Sequence, residues 1–125
     1  MGSRVVHDNE APTASVELTI DKPLENYDLF EVDAATPRDV DPILASQGFK
    51  DLIDDARGIL ERELSGSGLA IVQLTGAICH GGGIHHPGIW LVVEERGATG
   101  KQMSPQARTL IVAAVEAVQS GLGIS

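Results

Sequence analysis

The stretch TGAICHGGGIHHPGIW, residues 75–90, constrains this chain more than any other. Apolar runs lead into it and out of it, at residues 69–78 and 89–95, and three consecutive glycines separate them. That pattern predicts two strands folded back on each other as a β-hairpin. The chain holds four histidines and one cysteine, and four of these five residues gather at the bend. They are Cys79, His80, His85 and His86.

The register of this hairpin follows from which residues must share a face. A bend at residues 81–84 sets His80 opposite His85 and Cys79 opposite His86. Continued in the same register, Leu74 meets Leu91 and Val72 meets Val93. With Ile78 and Ile89 they line one aliphatic face. The other face then carries Ile71, Gln73, Thr75, Trp90 and Val92. A one-residue slip would exchange the faces, so the clean segregation favours this register; a bulge at Gly76 would upset it. The second face is open yet partly apolar, which marks it as a candidate interface or ligand surface.

The remaining chain supplies the partners of the hairpin. Residues 1–14 are polar and mixed, and are expected as a disordered N-terminal tail, leaving residues 15–125 as a single α+β domain. Residues 16–20 and 27–32 read as two short strands. Thr36-Pro37-Arg38-Asp39 is a helix start signal, interrupted at Gln47-Gly48. Phe49, Leu52, Ile53, Ala56, Ile59, Leu60 and Leu64 make one stripe of a helix ended by the Ser65–Gly68 linker. Ser104-Pro105 opens a second long helix that stops near Gly121. Its stripe is Ala107, Leu110, Ile111, Ala114, Val115 and Val118, widened by Val112 and Ala117. The order β-β-α-β-β-α predicts a two-layer α+β sandwich: a four-stranded mixed sheet with two helices on one face. The crossover between strands two and three is expected to be parallel. This is a circular permutation of the ferredoxin-like plan, a topological likeness that carries no function.

Composition narrows the function classes. The net charge of −9 repels phosphate backbones, so nucleic acid is a disfavoured partner. A single cysteine excludes an internal disulfide and fits a reducing compartment. The first residues lack the apolar core of a secretion signal, and no apolar run reaches the ~18 residues of a membrane span. A cytoplasmic protein is the expectation.

The bend admits several chemistries. Cys79, His80, His85 and His86 are ligands for a divalent transition metal such as Zn²⁺. Neighbours on a strand point to opposite faces, so a regular hairpin offers one ion only two of them. Cys79 paired with His86 is a candidate nucleophile, and His85 or His86 a candidate acid–base group. Gly81, Gly82 and Gly83 can present backbone N–H groups to a small anionic ligand, helped by His80. Thr75 and Trp90, neighbours on the open face, are further ligand candidates. The expectation is a small homo-oligomeric binding protein, with this site for an anion or metal at or near a subunit interface. A small enzyme built from the same residues and a purely structural assembly subunit are the competing classes.

Overall fold

The computed structural model describes residues 4–7, 12–29, 36–97 and 102–124. Three long strands form the body of the sheet: β2 (Pro12–Thr19), β3 (Leu69–Gly81) and β4 (Ile84–Glu95). The short strand β1 (Arg4–His7) pairs along the outer side of β2. The order is β1-β2-β4-β3, antiparallel at every pairing, which leaves β3 at one edge. Among the described residues three α-helices accompany the sheet: α1 (Pro37–Leu44), α2 (Gln47–Glu63) and α3 (Pro105–Leu122).

This α+β arrangement corrects the expected one in several respects. Among the described residues the sheet is antiparallel throughout, with no parallel crossover: β2 runs antiparallel beside β4. A strand beginning at Tyr27 does not form. Instead Leu24 and Leu29, both buried, bridge across a short 3₁₀ turn at Glu25–Tyr27. Asp28 closes that turn in the left-handed region at φ 58°, a conformation Asp tolerates better than most residues. Burial of the two leucines thus overrides the local alternation; the last residues of the expected strand, 30–32, lie outside the described residues. Residues 4–7 and 12–14, expected in a loose tail, belong to β1 and β2. The described residues form three α-helices rather than two, because the signal at Thr36 starts a helix of its own. The Asp39 carboxylate accepts from both the amide and the hydroxyl of Thr36, at 3.3 and 3.1 Å. Ser46 then restarts the chain as the cap of α2, accepting from the Phe49 amide at 3.2 Å.

The core lies between the helices and one face of the sheet. Leu74, Ile89, Leu91 and Val93 point into it, with Ala14 and Leu18 from β2. Phe49, Leu52, Ala56 and Leu60 face them from α2, and Ala107, Ile111, Ala114 and Val118 from α3. Leu110 and Val112 are exposed, so α3 is a half-buried helix and not the well-buried one its apolar content predicts. Glycines permit the closest approaches. A Cβ on Gly76 would lie 2.8 Å from the Phe49 ring, and one on Gly48 only 1.6 Å from the Tyr27 carbonyl oxygen.

The expected sheet faces are right near the bend and wrong at the far end. A bulge falls at Val72, between the pairs Ile71–Val93 and Gln73–Val92. Ile71 therefore packs toward the core and Val72 stands 56 % exposed, the reverse of the expected placement. Gly76 stays in regular pairing with Ile89. Because Gly48 touches backbone that cannot swing aside, Gly48→Ala should cost about 2 kcal/mol or more. Equilibrium urea unfolding should show a lower midpoint with the helical signal of the native state retained.

Candidate functional site

The bend is tighter than a four-residue loop. Gly81 pairs with Ile84, and Gly82 and Gly83 alone make the turn, at φ 61° and 83°. Two successive positive φ values define a type I′ hairpin turn, whose twist matches that of the strands. Glycine reaches this region without steric cost. The register is the expected one: His80 opposite His85, Cys79 opposite His86, Thr75 opposite Trp90.

The strand period then separates these residues into two sets. His80 and His85 lie on the face that carries Leu74, Ile89 and Leu91, where the helices pack. Cys79 and His86 lie on the other face, in line with Thr75 and Trp90. The structure does not gather all the candidates around one point. Among the described residues no group of three or more His, Cys, Asp or Glu is placed to hold a metal ion.

The His80–His85 pair is the accessible one. Its ring centroids are 4.2 Å apart at an interplanar angle of 62°, an edge-to-face contact. His80 is exposed and His85 half-buried. Both sit one residue pair from a turn made of exposed glycines, so a ligand can reach them from the end of the sheet.

The Cys79–His86 pair is the closed one. Cys79 is 1 % exposed and His86 6 %. The Cys79 sulfur lies over Gly88, where a Cβ would come within 2.3 Å of it and 2.6 Å of the Leu18 carbonyl oxygen. Burial pushes the thiol pKa up; a hydrogen bond with Thr19 offsets part of that rise, and the Glu17 carboxylate adds to it. The His86 Nε2 faces the Gly81 carbonyl oxygen at 3.2 Å. A nucleophilic cysteine needs an exposed, electropositive setting that lowers its pKa, and Cys79 has the opposite. It packs as a small apolar residue.

On the same face, Trp90 is half-buried between Glu17 of β2 and Thr75 of β3. Thr75 is exposed and accepts a hydrogen bond from Gln73 at 3.2 Å. Thr13 and Ser15 are buried there too. This face is more polar and more covered than the open apolar surface the sequence predicts. Two shallow grooves lie elsewhere. One, of about 380 Å³, is lined by Arg57, Glu61, Leu64 and Ile71. The other, of about 350 Å³, runs between Tyr27, Asp55, Arg62 and Leu122. In the second groove the Tyr27 hydroxyl donates to Asp55 at 2.5 Å. Burial first, and this carboxylate second, push its pKa up to about 12, so it stays protonated. Neither groove contains a residue of the bend.

One feature of the hairpin escapes a reading of single residues. From residue 69 to residue 93 there is no Asp, Glu, Lys or Arg. At the chain's mean charged fraction of 22 %, a stretch of that length would carry about five. The signal is plain in the sequence but shows only when the two strands are read as one unit. No protein-family model, no curated protein and no solved structure matches this chain. No helix among the described residues is long and apolar enough to cross a membrane.

The raised thiol pKa sets a pH dependence. The folded protein keeps a proton that the unfolded chain releases above about pH 8.5. The stability from this group is fully present below that pH and is lost as pH rises through the higher folded-state pKa. Iodoacetamide should modify native Cys79 tenfold or more slowly, roughly, than the urea-unfolded chain. Equal rates would show an open thiol.

Proposed function

We propose that this protein is a small metal-binding α+β domain, and that its binding element is the His80–His85 pair at the end of the hairpin. The observation that supports this reading is the edge-to-face contact of the two imidazoles at 4.2 Å, on accessible side chains next to a bare glycine turn. Neutral imidazole is the commonest metal-ligating side chain, and it suits Zn²⁺, Cu²⁺ and Ni²⁺. A nitrogen-bound Zn²⁺ sits ~2.0–2.1 Å from each nitrogen, which puts the two ring centroids about 5 Å apart. The pair must therefore spread by about 1 Å on binding, and the exposure of His80 permits it.

The anionic-ligand reading has less support. The two glycines that carry the turn are both left-handed and close it on itself. A nest that aims its N–H groups at an anion commonly alternates right- and left-handed residues. The net charge of −9 also favours a cation over an anion. The enzyme reading loses its nucleophile with the burial of Cys79.

Titration calorimetry with ZnCl₂ on the purified protein tests the proposal. Binding in the micromolar range is expected, reduced at least tenfold by His80→Ala and by His85→Ala. His86→Ala, on the opposite face, should leave the affinity within about twofold, provided circular dichroism shows it folded. No heat and no binding with the parent protein, or equal loss in all three variants, would remove this assignment.

A further inference from the structure

We infer that the outer face of α3 docks a second copy of this chain, with the two helices antiparallel and crossing at Val112. Ala107, Ile111, Ala114, Val118 and Leu122 turn this helix into the core, and Val112, turned away from it, is 58 % exposed. Arg108 and Glu116 stand four positions before and four positions after Val112. At 3.6 residues per turn they lie about 40° to either side of it, on one stripe about 12 Å long. That separation is too great for them to pair with each other. Among the described residues neither has an ion-pair partner, and both reach solvent.

Charge decides which partner the stripe takes. Each chain carries a net −9, so copies repel one another unless they meet where charges match. Residues 105–122 hold one base, one acid and no other charged group. In a two-fold antiparallel pair centred on Val112, each position meets the one equally far beyond the centre. Arg108 then faces the partner's Glu116, and Glu116 faces the partner's Arg108. Between them Val112 meets its own copy and Thr109 meets the partner's Val115. A parallel pair would set base on base and acid on acid, so the charges select the orientation as well. Neighbouring acids stay clear of this stripe. Asp54 and Asp55 of α2, with Arg62, border Gly121, where a Cβ would come 2.9 Å from Ile59. Gly121 lies half a turn round the helix from Val112. At the start of α3, Glu95 accepts from the amide and the hydroxyl of Ser104, which falls opposite the partner's uncharged Ser120.

Sedimentation equilibrium of the full chain in EDTA tests this independently of the metal reading. One helix pair falls short of the ~1,200 Å² of a stable interface, so association is expected only above roughly 100 µM, with the mass climbing from 13.2 kDa toward twice that value. Arg108→Glu and Glu116→Arg should each stay folded by circular dichroism and associate at least tenfold more weakly than the parent. Mixing these two variants restores both opposite-charge contacts across the pair, and the mixture should associate again. Both exchanges in one chain should also recover the parent's behaviour. A parent chain still monomeric at about 1 mM overturns the inference. So does a dimer that neither single exchange weakens, or a mixture that remains monomeric.

Discussion

The two-residue turn at Gly82–Gly83 governs the structure, because it decides which residue of β3 faces which residue of β4. With both glycines left-handed the strands leave the turn already twisted to pair. The pairs that follow place Leu74, Ile89 and Leu91 on one side and Cys79, His86 and Trp90 on the other. β4 is the central strand, flanked by β2 and β3. Its inward residues, Ile89, Leu91 and Val93, are fully buried, and α2 and α3 pack over them. A different turn would shift this register and offer the helices Trp90 and Gly88 instead of Leu91 and Ile89.

The hairpin was legible because its two readings differ so sharply in polarity. At the bend only one register segregates the aliphatic residues, and four of the chain's five His and Cys residues fall at the same place. The far end of β3 was not legible. In Leu69-Ala70-Ile71-Val72 either phase puts an aliphatic side chain inward, so an extra residue there leaves no compositional trace. The bulge at Val72 reverses the phase without changing the hydrophobicity of either face. The pairing of β2 with β4 was equally hidden. It joins residues 69 to 81 positions apart, and neither segment carries a local sign of its neighbour. Where local chemistry did decide, at Thr36 and Ser104, the helix starts fall where their caps predict.

The same register that brought the candidate residues together also divided their roles. Cys79 and His86 face one another as expected, yet both are buried and the thiol packs as an apolar group. The reason is Gly88, which leaves room on the sheet surface for the sulfur. Spacing reveals which side chains are neighbours; whether they meet water or protein depends on segments far away in sequence. His80 and His85, one pair nearer the turn, sit on the helix-bearing face and remain accessible because the sheet ends there.

An edge strand of thirteen residues with no charge and no proline is unusual, since sheets commonly guard such edges against pairing with other chains. The far edge has a simple guard, the four-residue β1, too short to template much of a partner. On β3 the guard is the Val72 bulge, which interrupts the regular ladder near one end. A second guard acts at long range: chains that each carry a net charge of −9 repel one another before two such edges can pair.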